Sequence, residues 1–261
     1  MSANPMALVT GASSGIGATF ARQIAEDGYG LVLVARRTDR LEELAAELRA
    51  RHGVPAETMA ADLTRDADVD RVAQRLADFP NLALLVNNAG FGTKGFFFEA
   101  DAVQQDAMHR LHVLATERLT RAALPGMIAR RRGGIVNVAS IAGFLQSPGH
   151  ISYFATKAWM ISFTEGLHME LKVLGSPVVV QALCPGYTYS EFHDVMGSDS
   201  KEIPKSLWMP ADFVVRESLR GLKEGRLIVI PGWRYRAIVR LVKLLPRSII
   251  EWAATRSRKE T

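Results

Sequence analysis

A single cysteine, Cys184, in 261 residues excludes an internal disulfide and fits a reducing compartment. No run of about 18 uninterrupted apolar residues occurs, so no membrane-spanning helix is expected. Only five residues precede the first apolar run, Met6-Ala-Leu-Val9, so no secretory signal is expected either. These absences together predict a cytoplasmic protein. A strong charge over the body of the chain is also missing. Of the net +5, residues 233–261 carry +6, with eight Lys and Arg against Glu251 and Glu260, which leaves −1 for the rest. A general nucleic-acid surface is therefore poorly supported, and no nucleic-acid partner is expected. No metal is expected.

The chain is 48% apolar, enough to bury a sizeable core. Apolar β-type runs at 6–10, 31–35, 57–61, 82–87, 134–139, 177–183 and 227–230 read as strands, with Leu82–Val86 and Val178–Val180 continuously apolar. Helical periodicity fills about 15–27, 38–51, 66–78, 101–131, 150–174 and 211–223 between them. This alternation predicts an α/β fold, a doubly wound, mainly parallel seven-stranded sheet of Rossmann type flanked by helices. No repeat, low-complexity stretch or linker marks a boundary, so residues 1–261 are expected to form one domain. The longest irregular piece, roughly 186–210, follows a strand's carboxyl end, where open α/β sheets place their ligand crevice.

Thr10-Gly-Ala-Ser-Ser-Gly-Ile-Gly17 sits between a strand and a helix. Gly11, Gly15 and Gly17 permit a tight turn and close approach of backbone to a pyrophosphate, which the helix N-terminus then meets with free N–H groups. The second strand ends Ala35-Arg36-Arg37. Ala35 cannot accept from a ribose 2′-hydroxyl, whereas Arg36 and Arg37 offer planar donors to a 2′-phosphate. NADP(H) is therefore expected in preference to NAD(H).

Tyr153 and Lys157 lie four residues apart, one helical turn, and so share a face. Ser140 ends a predicted strand thirteen residues before Tyr153. A phenol is too weak an acid to act as base at neutral pH. An ammonium on the same face, beside an oxidised nicotinamide, would lower its pKa. Tyr153 can then exchange a proton with a substrate oxygen while Ser140 hydrogen-bonds that oxygen.

With Asp62-Leu63, Asn87-Asn-Ala-Gly90 and Pro185-Gly186 added, the chain resembles the short-chain dehydrogenase/reductase family over residues 6–231. The resemblance implies that Ser140, Tyr153 and Lys157 are catalytic and that Lys157 also holds the nicotinamide ribose. It implies cofactor contacts from Thr10, Gly11, Ser13, Ser14, Gly15, Ile16 and Gly17, and from Asp62 and Leu63 near the adenine. Asn88, Ala89 and Gly90 would lie along the cofactor, and Pro185, Gly186, Thr188 and Ser190 on its nicotinamide side. Where the family carries an Asn that anchors a proton-relaying water, this chain has His112. Histidine can also bridge a water through a ring nitrogen, so His112 is a candidate catalytic accessory; packing against a strand is the alternative.

Phe91, Phe96-Phe-Phe98, Phe144, Leu145, Phe192, Trp208 and Met209 are expected around the crevice and suggest an apolar or amphiphilic substrate: a keto-acyl chain, a steroid-like ketone or an aromatic ketone. The expected activity is interconversion of a hydroxyl and a carbonyl. A non-catalytic NADP(H)-sensing regulator on the same fold is the alternative. In the tail, Ile238, Leu241, Val242 and Leu245 are expected to share one helical face opposite Arg236, Arg240 and Lys243. Closure over the pocket or packing on a sister subunit, in a homodimer or homotetramer, is favoured over peripheral contact with a membrane.

Overall fold

Strands with apolar side chains on both faces need cover on both faces, and the fold supplies it. The computed structural model describes residues 4–191 and 204–256. Its strands are β1 (Met6–Thr10), β2 (Gly30–Ala35), β3 (Ala56–Ala60), β4 (Leu82–Asn87), β5 (Gly134–Val138), β6 (Val179–Leu183) and β7 (Ile228–Val229). They form one sheet in the order β3-β2-β1-β4-β5-β6-β7, with every neighbouring pair parallel. The helices are α1 (Gly15–Glu26), α2 (Thr38–His52), α3 (Asp66–Ala77), α4 (Ala102–His109), α5 (Thr116–Ala129), α6 (Ile151–Val173), α7 (Ala211–Lys223), α8 (Trp233–Leu244) and α9 (Arg247–Arg256). Phe20, Leu41 and Val214 from α1, α2 and α7 pack on one face of the sheet. Val72, Leu119 and Leu171 from α3, α5 and α6 pack on the other.

After β1 the chain winds outward to β3, then returns to the other side of β1 as β4. The strand order reverses there, and the crevice opens beyond the carboxyl ends of β1 and β4. Asn87, at the end of β4, donates from Nδ2 to Asn137 Oδ1 (2.9 Å) and Thr120 Oγ1 (3.1 Å), and Asn137 Nδ2 donates to Thr164 Oγ1 (2.9 Å). These buried bonds lock β4, β5, α5 and α6 together below the site.

Two elements differ from expectation. The helix predicted over 101–131 is interrupted by a π-helical stretch, Arg110–Ala115, between α4 and α5. A π turn inserts one residue into the helical register, and His112, on that stretch, is completely buried. In the tail, the buried side chains of α8 are Tyr235 and Val239, whereas Ile238 and Leu241 are exposed. The apolar face expected to be covered is thus displaced around the helix, because the tyrosine ring takes the inner position.

Candidate active site

The glycine turn has the shape a bound anion needs. Gly11 and Gly15 adopt φ of +65° and +53°, a region that disfavours side chains. A Cβ on Gly17 would fall 2.2 Å from the carbonyl oxygen of Gly11. Helix α1 starts with no side-chain cap and no acidic residue in its first turn, so its first N–H groups face the turn unneutralised. Thr10 holds the turn to its neighbour: its hydroxyl accepts from the amides of Asn88 (2.9 Å) and Ala89 (3.0 Å).

A cavity of about 1050 Å³ begins at this turn and ends at Tyr153. Gly11, Ser13, Ser14, Gly15 and Ile16 line its floor. Asp62, Leu63 and the Asn88–Gly90 segment form one wall. Pro185, Gly186, Thr188 and Ser190 form the other, with Ser190 Cβ packed over Gly15. Arg36 and Arg37 stand at the far rim. Arg37 donates to the hydroxyls of Ser13 (3.1 Å) and Ser14 (2.9 Å) and to the Glu191 carboxylate (2.8 Å). Arg40 also pairs with Glu191. Together these two guanidinium groups, Arg40 first, hold the Glu191 carboxyl down at about 2. The cradle fits the pyrophosphate of a nicotinamide dinucleotide.

At the other end, Ser140 caps a short 3₁₀ turn and accepts from the amide of Ala142 (3.1 Å). The Tyr153 hydroxyl hydrogen-bonds Ser140, which opposes the larger effect of burial; the phenol is still pushed up to about 12. Lys157 is buried, donates to the carbonyl of Val138 (2.8 Å), and lies 5.8 Å from the centre of the Tyr153 ring. Burial pulls its pKa down to about 7. The expected lowering of the tyrosine pKa calls for an oxidised nicotinamide beside the lysine; in the free protein burial dominates. Desolvation is the largest influence on both groups, and Tyr153 is a neutral phenol, a proton donor.

His112 lies outside the cavity lining but touches three parts of the site. Thr156 Oγ1 donates to the Tyr153 carbonyl (2.9 Å), so it accepts from His112 Nδ1 (2.9 Å). Nε2 then accepts from the amide of Phe91 (3.2 Å). Burial, aided by Lys157, drives the imidazole pKa well below its usual value, so the ring is neutral. Both ring nitrogens are engaged by protein atoms. A Cβ on Gly90 would come within 2.7 Å of Nε2, so glycine is required there.

Some residues expected near the substrate lie elsewhere. Phe91 and Leu145 line the cavity. Phe96, Phe97 and Phe98 are exposed, Phe144 packs on Met160 and Ile161, Met209 belongs to the core, and Trp208 stacks on Tyr189 at 5.0 Å. Phe192 lies outside the described residues. Conversely, Tyr235 and Glu191 line the cavity and were not anticipated. The Tyr235 ring occupies the space a Cβ on Gly186 would need, and its hydroxyl accepts from the amide of Tyr187 (3.1 Å) and donates to Leu207 (2.6 Å). A periodicity count that omits tyrosine from the apolar set misses this contact, and no local pattern marks Glu191.

A reversed parallel sheet with a glycine turn at its switch point, opening on a Ser/Tyr/Lys cluster, defines a nicotinamide-dinucleotide oxidoreductase. The model for the family "short chain dehydrogenase" matches residues 5–201. The chain belongs to the short-chain dehydrogenase/reductase family and is an oxidoreductase acting on CH–OH or C=O groups. A short-chain dehydrogenase from Sphingobium yanoikuyae, solved in complex with NADPH, is 37% identical with a TM-score of 0.84, over 93% of this chain and 96% of that one. A bulky-bulky ketone specific alcohol dehydrogenase from Comamonas testosteroni is 33% identical with a TM-score of 0.80, over 94% and 96%. The very-long-chain 3-oxoacyl-CoA reductase of Anas platyrhynchos is 31% identical over 72% of this chain, which spans 61% of that protein's length.

Proposed function

We propose that the protein interconverts an alcohol and a ketone on an apolar or amphiphilic substrate with NADP(H), and that Ser140, Tyr153 and Lys157 carry the reaction. The observation behind this reading is one continuous cavity with the glycine turn at one end and the Ser140–Tyr153 pair at the other. When bound, the nicotinamide exchanges a hydride with the substrate carbon. Ser140 holds the substrate oxygen. Tyr153, protonated in the free protein, gives that oxygen its proton in the reducing direction. Lys157 passes a proton back to the resulting phenolate and would hold the cofactor ribose. Phe91, Leu145 and Phe154 give the substrate end an apolar wall, in keeping with the bulky ketones of the Comamonas relative. A panel of keto-acyl, steroid-like and aromatic ketones, followed by nicotinamide absorbance with NADPH, tests it. Turnover of none of them by a folded protein that binds NADPH would favour the sensor reading.

NADP(H) is proposed over NAD(H), with Arg37 rather than Arg36 as the main determinant. Arg37 already contacts the serines of the turn. A bidentate charged contact contributes about 1.5–3 kcal/mol, roughly tenfold or more in affinity. NADPH should therefore bind at least about tenfold tighter than NADH, and Arg37→Ala should erase most of the difference. Fluorescence titration measures both; equal affinities in the parent protein would overturn the assignment.

His112 is proposed as a positioning residue that ties the Gly90–Phe91 turn to the catalytic helix. His112→Ala leaves the Phe91 amide unpaired and the Thr156 hydroxyl without its donor, at about 1–3 kcal/mol in all. Turnover and melting temperature should fall together, with both limbs of the pH–rate profile unmoved. His112→Asn, too short to reach both partners, should recover only part. Full recovery of turnover with Asn would instead indicate a relayed water.

A further inference from the structure

Helix α8 has two apolar stripes, and among the described residues only the inner one is packed into the fold. Tyr235 and Val239 point inward and are 3% exposed. Trp233, Ala237, Leu241 and Leu244, spaced i, i+4, i+8 and i+11, lie together on the opposite side. Trp233 is 68% exposed, Leu241 58% and Leu244 83%. Helix α9 repeats the pattern with Ile249 and Trp252, three residues apart on one face and 46% and 61% exposed. Cations flank these apolar groups: Arg234 and Arg240 beside the outer stripe, then Arg247, with Glu251 the one acid in the two helices; the Lys243 ammonium instead turns inward over the Phe144 ring.

We infer that the outer face of α8 and α9 docks on an anionic lipid bilayer. Trp and Leu on one stripe with arginines at its borders is the composition of a helix lying in the interface plane. An indole suits that zone because one edge is apolar and its N–H reaches water. The helices lie on the bilayer and do not enter it, because among the described residues no helix is long and apolar enough to cross one. Charge decides between the possible occupants. In a two-fold contact through this stripe, the same arginines would face each other from both copies. An anionic lipid surface complements them instead. The inner side of the same helix lines the catalytic cavity through Tyr235 and Ile238. Docking would therefore set that cavity beside a phase in which apolar ketones concentrate; this consequence rests on the substrate reading above, whereas the docking does not.

Co-sedimentation of the full chain with vesicles tests the inference. Phosphatidylcholine vesicles containing phosphatidylglycerol should pull the protein down at low salt and release it at high salt, and pure phosphatidylcholine should bind far less. Leu241→Glu with Leu244→Glu should abolish binding. Arg240→Glu with Arg247→Glu should weaken it by about fivefold or more per charge removed. Neither pair lines the cavity, so turnover of a water-soluble ketone should not change, which reports that each variant is folded. Three results would overturn the inference: no binding to anionic vesicles at low salt, binding indifferent to both double variants, or a drop in oligomer size on Leu241→Glu/Leu244→Glu, which would show that a second copy covers the stripe.

Discussion

Tyr153→Phe should lower turnover by about 10²–10⁴-fold, the usual contribution of a positioned proton donor, while leaving NADPH affinity within about twofold. The ring is buried among Met108, Ala142, Phe91 and Phe154, so phenylalanine fills the same space and the fold should not suffer. The hydroxyl is the group proposed to give the substrate oxygen its proton, with Ser140 as its hydrogen-bond partner. Because the phenol is pushed up to about 12, it stays protonated across the physiological range. Reduction should therefore depend only weakly on Tyr153 titration below pH 9, and oxidation should need a higher pH or the positive charge of an oxidised nicotinamide. Stopped-flow or steady-state rates on a confirmed ketone, paired with cofactor fluorescence, separate the two quantities. Retention of most of the activity by the phenylalanine variant would overturn the mechanism.

Lys157→Met should be as severe for turnover, and unlike the tyrosine change it should also weaken cofactor binding, since Lys157 is assigned to both. It carries a second, opposite signature in stability. Burial lowers the Lys157 pKa from 10.5 to about 7, so the unfolded chain binds more protons than the folded one between those values. Stability linked to this group must therefore rise with pH through that window. Tyr153, raised from 10 to about 12, acts the other way, but only above about pH 10. Cys184, raised from 9.0 to about 12, opposes it above about pH 9. From pH 7 to 9, then, the wild-type melting temperature should climb, and in Lys157→Met the climb should flatten. Parallel melting curves for the two proteins across that range would mean that Lys157 does not enter the folded state as a desolvated amine.

Much of this molecule is legible in one dimension because its parts are local. Strands β1, β2 and β4 are continuous apolar runs, and the glycine turn and the Tyr153–Lys157 spacing are complete within a few residues. The strand starts at 31, 57, 177 and 227 were expected within two residues of their observed places, Gly30, Ala56, Val179 and Ile228. The π turn at Arg110–Ala115 was not legible, because its cause is distant: His112 turns inward to meet Thr156 on α6 and the amide of Phe91. Nor was the displacement of the α8 stripe, since Tyr235 is drawn in by a notch at Gly186 and by carbonyl and amide partners near residue 200 of the chain, at Leu207 and Tyr187.

The sequence by itself determined the alternation of strands and helices, the anion-binding turn, and the residue types of the reacting pair, all of which follow from backbone sterics and side-chain periodicity over short spans. Only the tertiary structure decided which arginine stands against Ser13 and Ser14, that Glu191 crosses from the nicotinamide-side segment to meet it, and that Tyr153 rests as a phenol above an amine near neutrality. Those outcomes depend on desolvation and on contacts between residues far apart in the chain. Neither can be read until the chain has closed on itself, because the free energy of a charge depends on how much water folding has removed from around it.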